Sequence, residues 1–144
     1  DPRTMRVTYA NAGQNPPLLK HEGPDGKIEV LDRIGGFPLG ILEPFDLPEG
    51  VIELRPGQTL RLYTDGVVEE RCENDTVFGL DRLAEVLRSC TGQPECLVGE
   101  LNHNLDCHQG PTPPEDDQTI VAIHVVENAA ARTFAPAKAN PPAR

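Results

Sequence analysis

The apolar pattern of this chain changes period at Gly79, and that switch restricts the fold to strands first and helices after. From Gly79 onward Leu80, Leu83, Ala84 and Leu87 recur at helical spacing, which predicts an amphipathic helix to about Ser89. Thr91-Gly92-Gln93-Pro94 breaks it, and Pro94 suits the first turn of a second helix whose apolar stripe is Leu97, Leu101 and Leu105. Gly110-Pro111-Thr112-Pro113-Pro114 ends that helix. Thr119 to Val126 is β-branched and reads as a final strand.

Before Gly79 the apolar runs are short and cut by turn residues. Val7-Thr8-Tyr9-Ala10 has a strand pattern, broken by Asn11 to Pro17. Leu18-Leu19-Lys20-His21 reads as a returning strand. After the Glu22 to Gly26 turn, Lys27 to Leu31 alternates as a third strand, so an antiparallel meander is expected. Gly35 to Gly40 is too rich in Gly and Pro for a regular element, and Val51 to Leu54 is a further short strand. Arg55-Pro56-Gly57-Gln58 is a turn with Pro preset at its second position. It leads into Thr59 to Thr64, the clearest strand. Leu60, Leu62 and Thr64 face one way; Arg61, Tyr63 and Asp65 face the other.

With 144 residues, aromatics at 4% and no Trp, the core of such a domain must rest on Leu, Val and Ile. A net charge of −10 with scattered basic residues argues against a nucleic-acid partner. Cys72, Cys90, Cys96 and Cys107 form no CxxC pair and no disulfide framework, and no apolar run is long enough to cross a membrane. Free thiols in a reducing cytoplasm are the simplest expectation. The start at Asp1, without Met, suggests a processed or partial chain. Residues 1–127 read as the folded part, and 128–144, rich in Ala and Pro, as a flexible tail.

Two acidic positions are singled out by what flanks them. Asp65-Gly66 ends a hydrophobic strand, and Asp116-Asp117 comes just before one. Carboxylates on strand ends are held by a rigid scaffold with their oxygens free, which suits hard cations such as Mg²⁺ or Mn²⁺. The same dipeptides are common in solvated turns, so spacing alone leaves both readings open.

Three stretches in order, Tyr9 to Pro17, Leu62-Tyr63-Thr64-Asp65-Gly66-Val67-Val68-Glu69, and Glu115-Asp116-Asp117-Gln118-Thr119, resemble the PPM-type phosphatases of the SpoIIE/RsbU branch. Lesser matches lie at Pro38-Leu39-Gly40, Leu54-Arg55-Pro56-Gly57 and Phe78 to Leu83, so the likeness runs from about Val7 to Val126. The resemblance implies an α+β fold, a β-sandwich of antiparallel sheets flanked by helices, present here as a C-terminal portion. It also implies hydrolysis of phosphoserine or phosphothreonine with two Mn²⁺ or Mg²⁺ ions. Asp65 matches the ligand of the Thr-Asp-Gly motif and Asp116 that of the Asp-Asp-x-Thr motif. Asp117 is expected to orient or tune the first. The implied substrate is a phosphorylated STAS-type anti-sigma-factor antagonist, in bacterial stress or sporulation signalling.

The chain departs from the family pattern in two ways. The Asp-Gly motif of the N-terminal half, whose Asp bridges both metals, has no counterpart, and Gln14 stands where the family usually has His. The chain alone is therefore expected to be a poor or inactive phosphatase. Half a sandwich also leaves apolar strand faces open, to be covered by the missing half, a partner chain or a dimer. A non-catalytic module that binds a sigma-factor regulator is the alternative, opposed by the retention of both Asp65 and Asp116.

Other residues invite functional readings and are discounted. Cys96, His103 and Cys107 share a helical face, but no fourth zinc ligand is evident nearby, which favours surface thiols. Arg61 shares a strand face with Asp65 and is expected to be solvated. Tyr63 is expected to be a half-buried strand aromatic, and nothing near His21 or His124 suggests catalysis.

Overall fold

The computed structural model describes residues 1–23, 26–41 and 46–126. The expected tail, 128–144, lies outside the described residues. Among the described residues, six strands and three helices run in the order β1 (Arg6–Ala10), β2 (Leu18–Lys20), β3 (Ile28–Val30), β4 (Glu49–Glu53), β5 (Thr59–Tyr63), α1 (Asp65–Val68), α2 (Gly79–Ser89), α3 (Pro94–Gln109) and β6 (Ile120–His124). Strands β3-β2-β5-β6 form one antiparallel sheet, and β1 pairs with β4 in a second. The fold is α+β, antiparallel sheets with helices, as the sequence predicts.

The expected meander of the first three strands does not form as such. β2 and β3 pair, but β1 leaves for the other sheet, where Val7 sits opposite Ile52. The reason lies in Asn11 to Pro17. Asn11 folds back on itself, its side-chain amide donating to the Gln14 carbonyl (2.8 Å) and its Oδ1 accepting from the Gln14 N–H (2.8 Å). Pro16 and Pro17 have no N–H to continue a ladder, so the chain crosses between sheets.

β5 is central to the larger sheet and enters from the Arg55–Gln58 turn. There Pro56 is followed by Gly57 at φ 80°, and the Gln58 N–H reaches the Arg55 carbonyl at 3.1 Å. A left-handed residue after Pro is the type II pattern. The alternation along β5 sends Leu60 towards the β1–β4 sheet, into a small core with Leu19, Leu31, Leu54 and Val125. Tyr63 faces the helices, in the larger core with Leu18, Leu83, Leu87, Leu97, Leu101 and Leu105. The predicted stripe of α3 is the one that is buried.

Lys20 is buried at the end of β2, and its ammonium donates to the carbonyls of Leu87 (2.8 Å), Arg88 (3.1 Å) and Cys90. Those carbonyls belong to the last turn of α2 and its C-cap, where no intrahelical donor remains, and a cation there also meets the negative end of the helix dipole. Burial, with the nearby Arg61 charge second, holds the Lys20 pKa below the ordinary lysine value.

Arg61 is the main departure from expectation. It is 0% exposed, and among the described residues its Nε, Nη1 and Nη2 have no hydrogen-bond partner. The face of β5 that carries it is roofed by the helices, so the side chain that alternation aims away from the β1–β4 sheet is not solvated. Burial brings its pKa down to about 10.

Candidate metal centre

The segments that carry Asp65 and Asp116 lie side by side because β5 and β6 are paired. In register, Tyr63 lies opposite Ile120, so the end of β5 meets the start of β6. The contact continues past the strands. The Thr64 N–H donates to the Thr119 carbonyl (3.1 Å), the Thr64 hydroxyl donates to the Asp117 carbonyl (2.8 Å), and the Thr119 N–H donates to the Thr64 hydroxyl (2.9 Å). Thr64 therefore fastens the Asp65 segment to the Asp116-Asp117 segment.

Gly66 closes the arrangement. A Cβ at that position would stand 2.7 Å from the Asp117 carbonyl oxygen and 3.3 Å from the Asp116 carbonyl carbon. Only hydrogen fits between the two backbones, so the Asp-Gly dipeptide is required by close approach rather than by turn formation. The sequence pattern gives no sign of α1. The chain does not leave the strand as a loop but enters this single helical turn, with Asp65 at its first position and Val67 buried beneath.

Asp65, Asp116 and Asp117 are all exposed at this end of the sheet. The Asp65 Oδ1 accepts from the Gly66 N–H (3.1 Å) and the Asp116 Oδ1 from the Asp117 N–H (2.7 Å), which leaves each carboxylate with free lone pairs. An all-oxygen, solvent-facing donor set is the chemistry of Mg²⁺ and Mn²⁺. It is an incomplete set: among the described residues no group of three or more His, Cys, Asp or Glu side chains is placed to hold a metal ion. One further acid lies near, and no sequence motif marks it. Glu70 is buried, and its Oε2 accepts from the Gln118 side-chain amide at 2.7 Å, tying the segment just beyond α1 to the Asp116 loop.

The other tempting residues serve structure. Tyr63 is buried, and burial raises its pKa. His21 bridges Glu29 (2.8 Å) and the Gln58 amide (2.9 Å), and His124 contacts the Thr59 hydroxyl (2.9 Å). Cys107 lies against the His103 ring, Nε2 at 3.8 Å, whereas Cys96 packs on the helical core. The shared face of Cys96, His103 and Cys107 is thus divided. A cleft of about 590 Å³, lined by Lys20, His21, Arg88, Cys90 and His124, opens at the Thr59 end of β5, away from the acids.

The chain matches known proteins over nearly its whole described length. The family described as Stage II sporulation protein E (SpoIIE) matches residues 1–126. Protein IcfG of Synechocystis sp. (strain ATCC 27184 / PCC 6803 / Kazusa) is 26% identical over 119 residues, which is 82% of this chain and 18% of IcfG. The SiaA-PP2C domain of Pseudomonas aeruginosa has a TM-score of 0.63 at 23% identity, over 85% of this chain and 47% of that one. The phosphatase domain of the cell fate determinant SpoIIE from Bacillus subtilis (Mn presoaked) has a TM-score of 0.59 at 17% identity, over 89% of this chain and 54% of that one. The likeness in three dimensions establishes the PPM fold, and this chain spans about half of each of those two domains.

Proposed function

Because the chain belongs to the SpoIIE family, we propose that it supplies one part of a two-metal site that hydrolyses phosphoserine or phosphothreonine on a regulatory protein. Asp65 and Asp116 are the metal-holding carboxylates in this reading, with Asp117 orienting Asp116. The substrate class is a phosphorylated STAS-type anti-sigma-factor antagonist, whose recognition changes when the phosphate charge is removed. The observation that carries the proposal is the pinch at Gly66, which presses the Asp65 turn and the Asp116-Asp117 segment into backbone contact.

Divalent cations held there supply Lewis acidity towards phosphoryl oxygens and towards the attacking water. The chain's own residues do the positioning. Thr64 locks the two segments through both its backbone and its hydroxyl, and the Glu70–Gln118 bond steadies the approach to β6. Two carboxylates are few for tight binding, which supports the reading that this chain by itself is a poor phosphatase and works with the remainder of the sandwich.

Calorimetric titration of Mn²⁺ into the chain tests the site. Weak binding is expected, with a dissociation constant on the order of 10⁻³ M, abolished by either Asp65→Asn or Asp116→Asn. Binding that survives both substitutions overturns the assignment. In a longer protein that joins this chain to the rest of the sandwich, each substitution lowers Mn²⁺-dependent hydrolysis of a phosphoserine peptide by about 10–100-fold or more. Hydrolysis indifferent to both, or absent although metal binds, favours the non-catalytic regulator-binding module.

A further inference from the structure

The junction of α2 and α3 brings together two thiols that the phosphatase reading does not use. Cys90 caps the end of α2, Cys96 lies in the first turn of α3, and the short Thr91–Gln93 loop joins them. The Cys90 thiol donates to the Cys96 carbonyl oxygen at 3.8 Å, which sets the two cysteines side by side across the junction. Cys90 is only 3% exposed, at the edge of the larger core, while Cys96 is partly open to solvent. We propose that Cys90 and Cys96 form a peroxide-responsive dithiol, Cys96 attacking and Cys90 resolving, whose oxidation fastens the end of α2 to the first turn of α3.

The surroundings divide the labour. Hydrogen bonding to the Thr91 backbone foremost, then to the Thr91 and Cys90 side chains, keeps the Cys96 thiol below the usual cysteine value, against the opposing effects of burial and, last, of the Glu100 charge. Burial foremost pushes Cys90 up to about 11, so it stays protonated until it is needed. The charges of Arg61 and Lys20 act on Cys90 in the opposite sense and stabilise negative charge as it develops on that sulfur. This also gives the buried Arg61 guanidinium a task, since no acceptor among the described residues meets its three nitrogens.

The chemistry balances with a hydroperoxide as oxidant. The Cys96 thiolate attacks one peroxide oxygen; an S–O bond forms, the O–O bond breaks, and hydroxide or alkoxide departs, leaving a sulfenic acid. The Cys90 sulfur then attacks the Cys96 sulfur. An S–S bond forms, the S–O bond breaks, and the Cys90 proton leaves with the oxygen as water. Two thiols are oxidised by two electrons, which reduce the peroxide. The cross-link borders the 590 Å³ cleft, which Cys90, Thr91 and Gln93 line, and lies at the opposite end of β5 from Asp65.

Hydrogen peroxide added to the native 144-residue chain, with mass spectrometry of the product, decides the matter. The protein is expected to become about 2 Da lighter, with a Cys90–Cys96 cross-linked peptide that dithiothreitol reverses. The product is unchanged in the Cys72→Ser/Cys107→Ser double variant and absent in Cys96→Ser. In Cys90→Ala, dimedone traps a sulfenic acid at Cys96. Preferential oxidation of Cys72 or Cys107, or dimedone labelling of Cys96 in the wild type equal to that in Cys90→Ala, overturns the proposal.

Discussion

The two faces of the β3-β2-β5-β6 sheet differ in how completely they are covered. On the helical face, Leu83, Leu87, Leu97, Leu101 and Leu105 are all buried to within a few per cent. On the face towards β1 and β4, Leu60 and Leu19 are buried, but Leu62, Val121 and Ile123 are 42%, 49% and 47% exposed. Register places these five side chains on one face, since Leu60 opposes Leu19 and Ile123, and Leu62 opposes Val121. The contrast arises from how each layer is built. Two adjacent helices with continuous apolar stripes roof their face from consecutive sequence, whereas a sandwich needs strands enough to match its breadth, and among the described residues the second sheet has two against four.

The largest expected effect breaks the sealed face. Leu101→Ala removes a fully enclosed side chain and should cost about 2–5 kcal/mol in urea denaturation, whereas Leu62→Ala should cost under about 1 kcal/mol. Equal losses would show that the second face is covered after all. Next in size is Lys20→Met, which leaves three carbonyls at the end of α2 without a donor and should cost about 1–3 kcal/mol at neutral pH. The lowered Lys20 pKa adds a signature. Below 10.5 the unfolded chain holds a proton that the folded one has begun to lose, so folding stability gains from Lys20 as pH rises towards that value. Denaturation midpoints measured across that pH range should show the gain in the wild type and not in Lys20→Met. The smallest effect on stability, within about 0.5 kcal/mol, belongs to Val121→Thr on the open face. Paired with Leu62→Asn, it should reduce concentration-dependent self-association in sedimentation, which would fix that face as the adhesive one.

The same two faces mark what was legible in the sequence. Leu97, Leu101 and Leu105 announced a buried stripe because a helix satisfies its pattern locally, and the bounds of α2 and α3 came with it. Alternation along Thr59 to Thr64 likewise separated Leu60 from Tyr63 correctly. It did not show what lies over each face, which is why Arg61 was expected in water and is found under the helices. Pairing was hidden for a related reason: nothing in Val7 to Ala10 names β4 as its partner rather than β2. The acids were visible by motif, but the reason for Gly66 was not, since close approach to Asp117 depends on residues far along the chain. Thr64 and Gln118 flank the acids, and only the paired strands reveal them as fasteners.

That tight fit at Gly66 makes the alignment of β6 against β5 a gauge for the acidic end. A slip of one residue would turn Ile120 and Ala122 away from the helices and carry Val121 and Ile123 under them. It would also drive the Asp117 carbonyl off its seat above Gly66, parting the two segments that carry the acids. An error in strand alignment and a loss of the proposed metal site would thus arrive as a single defect.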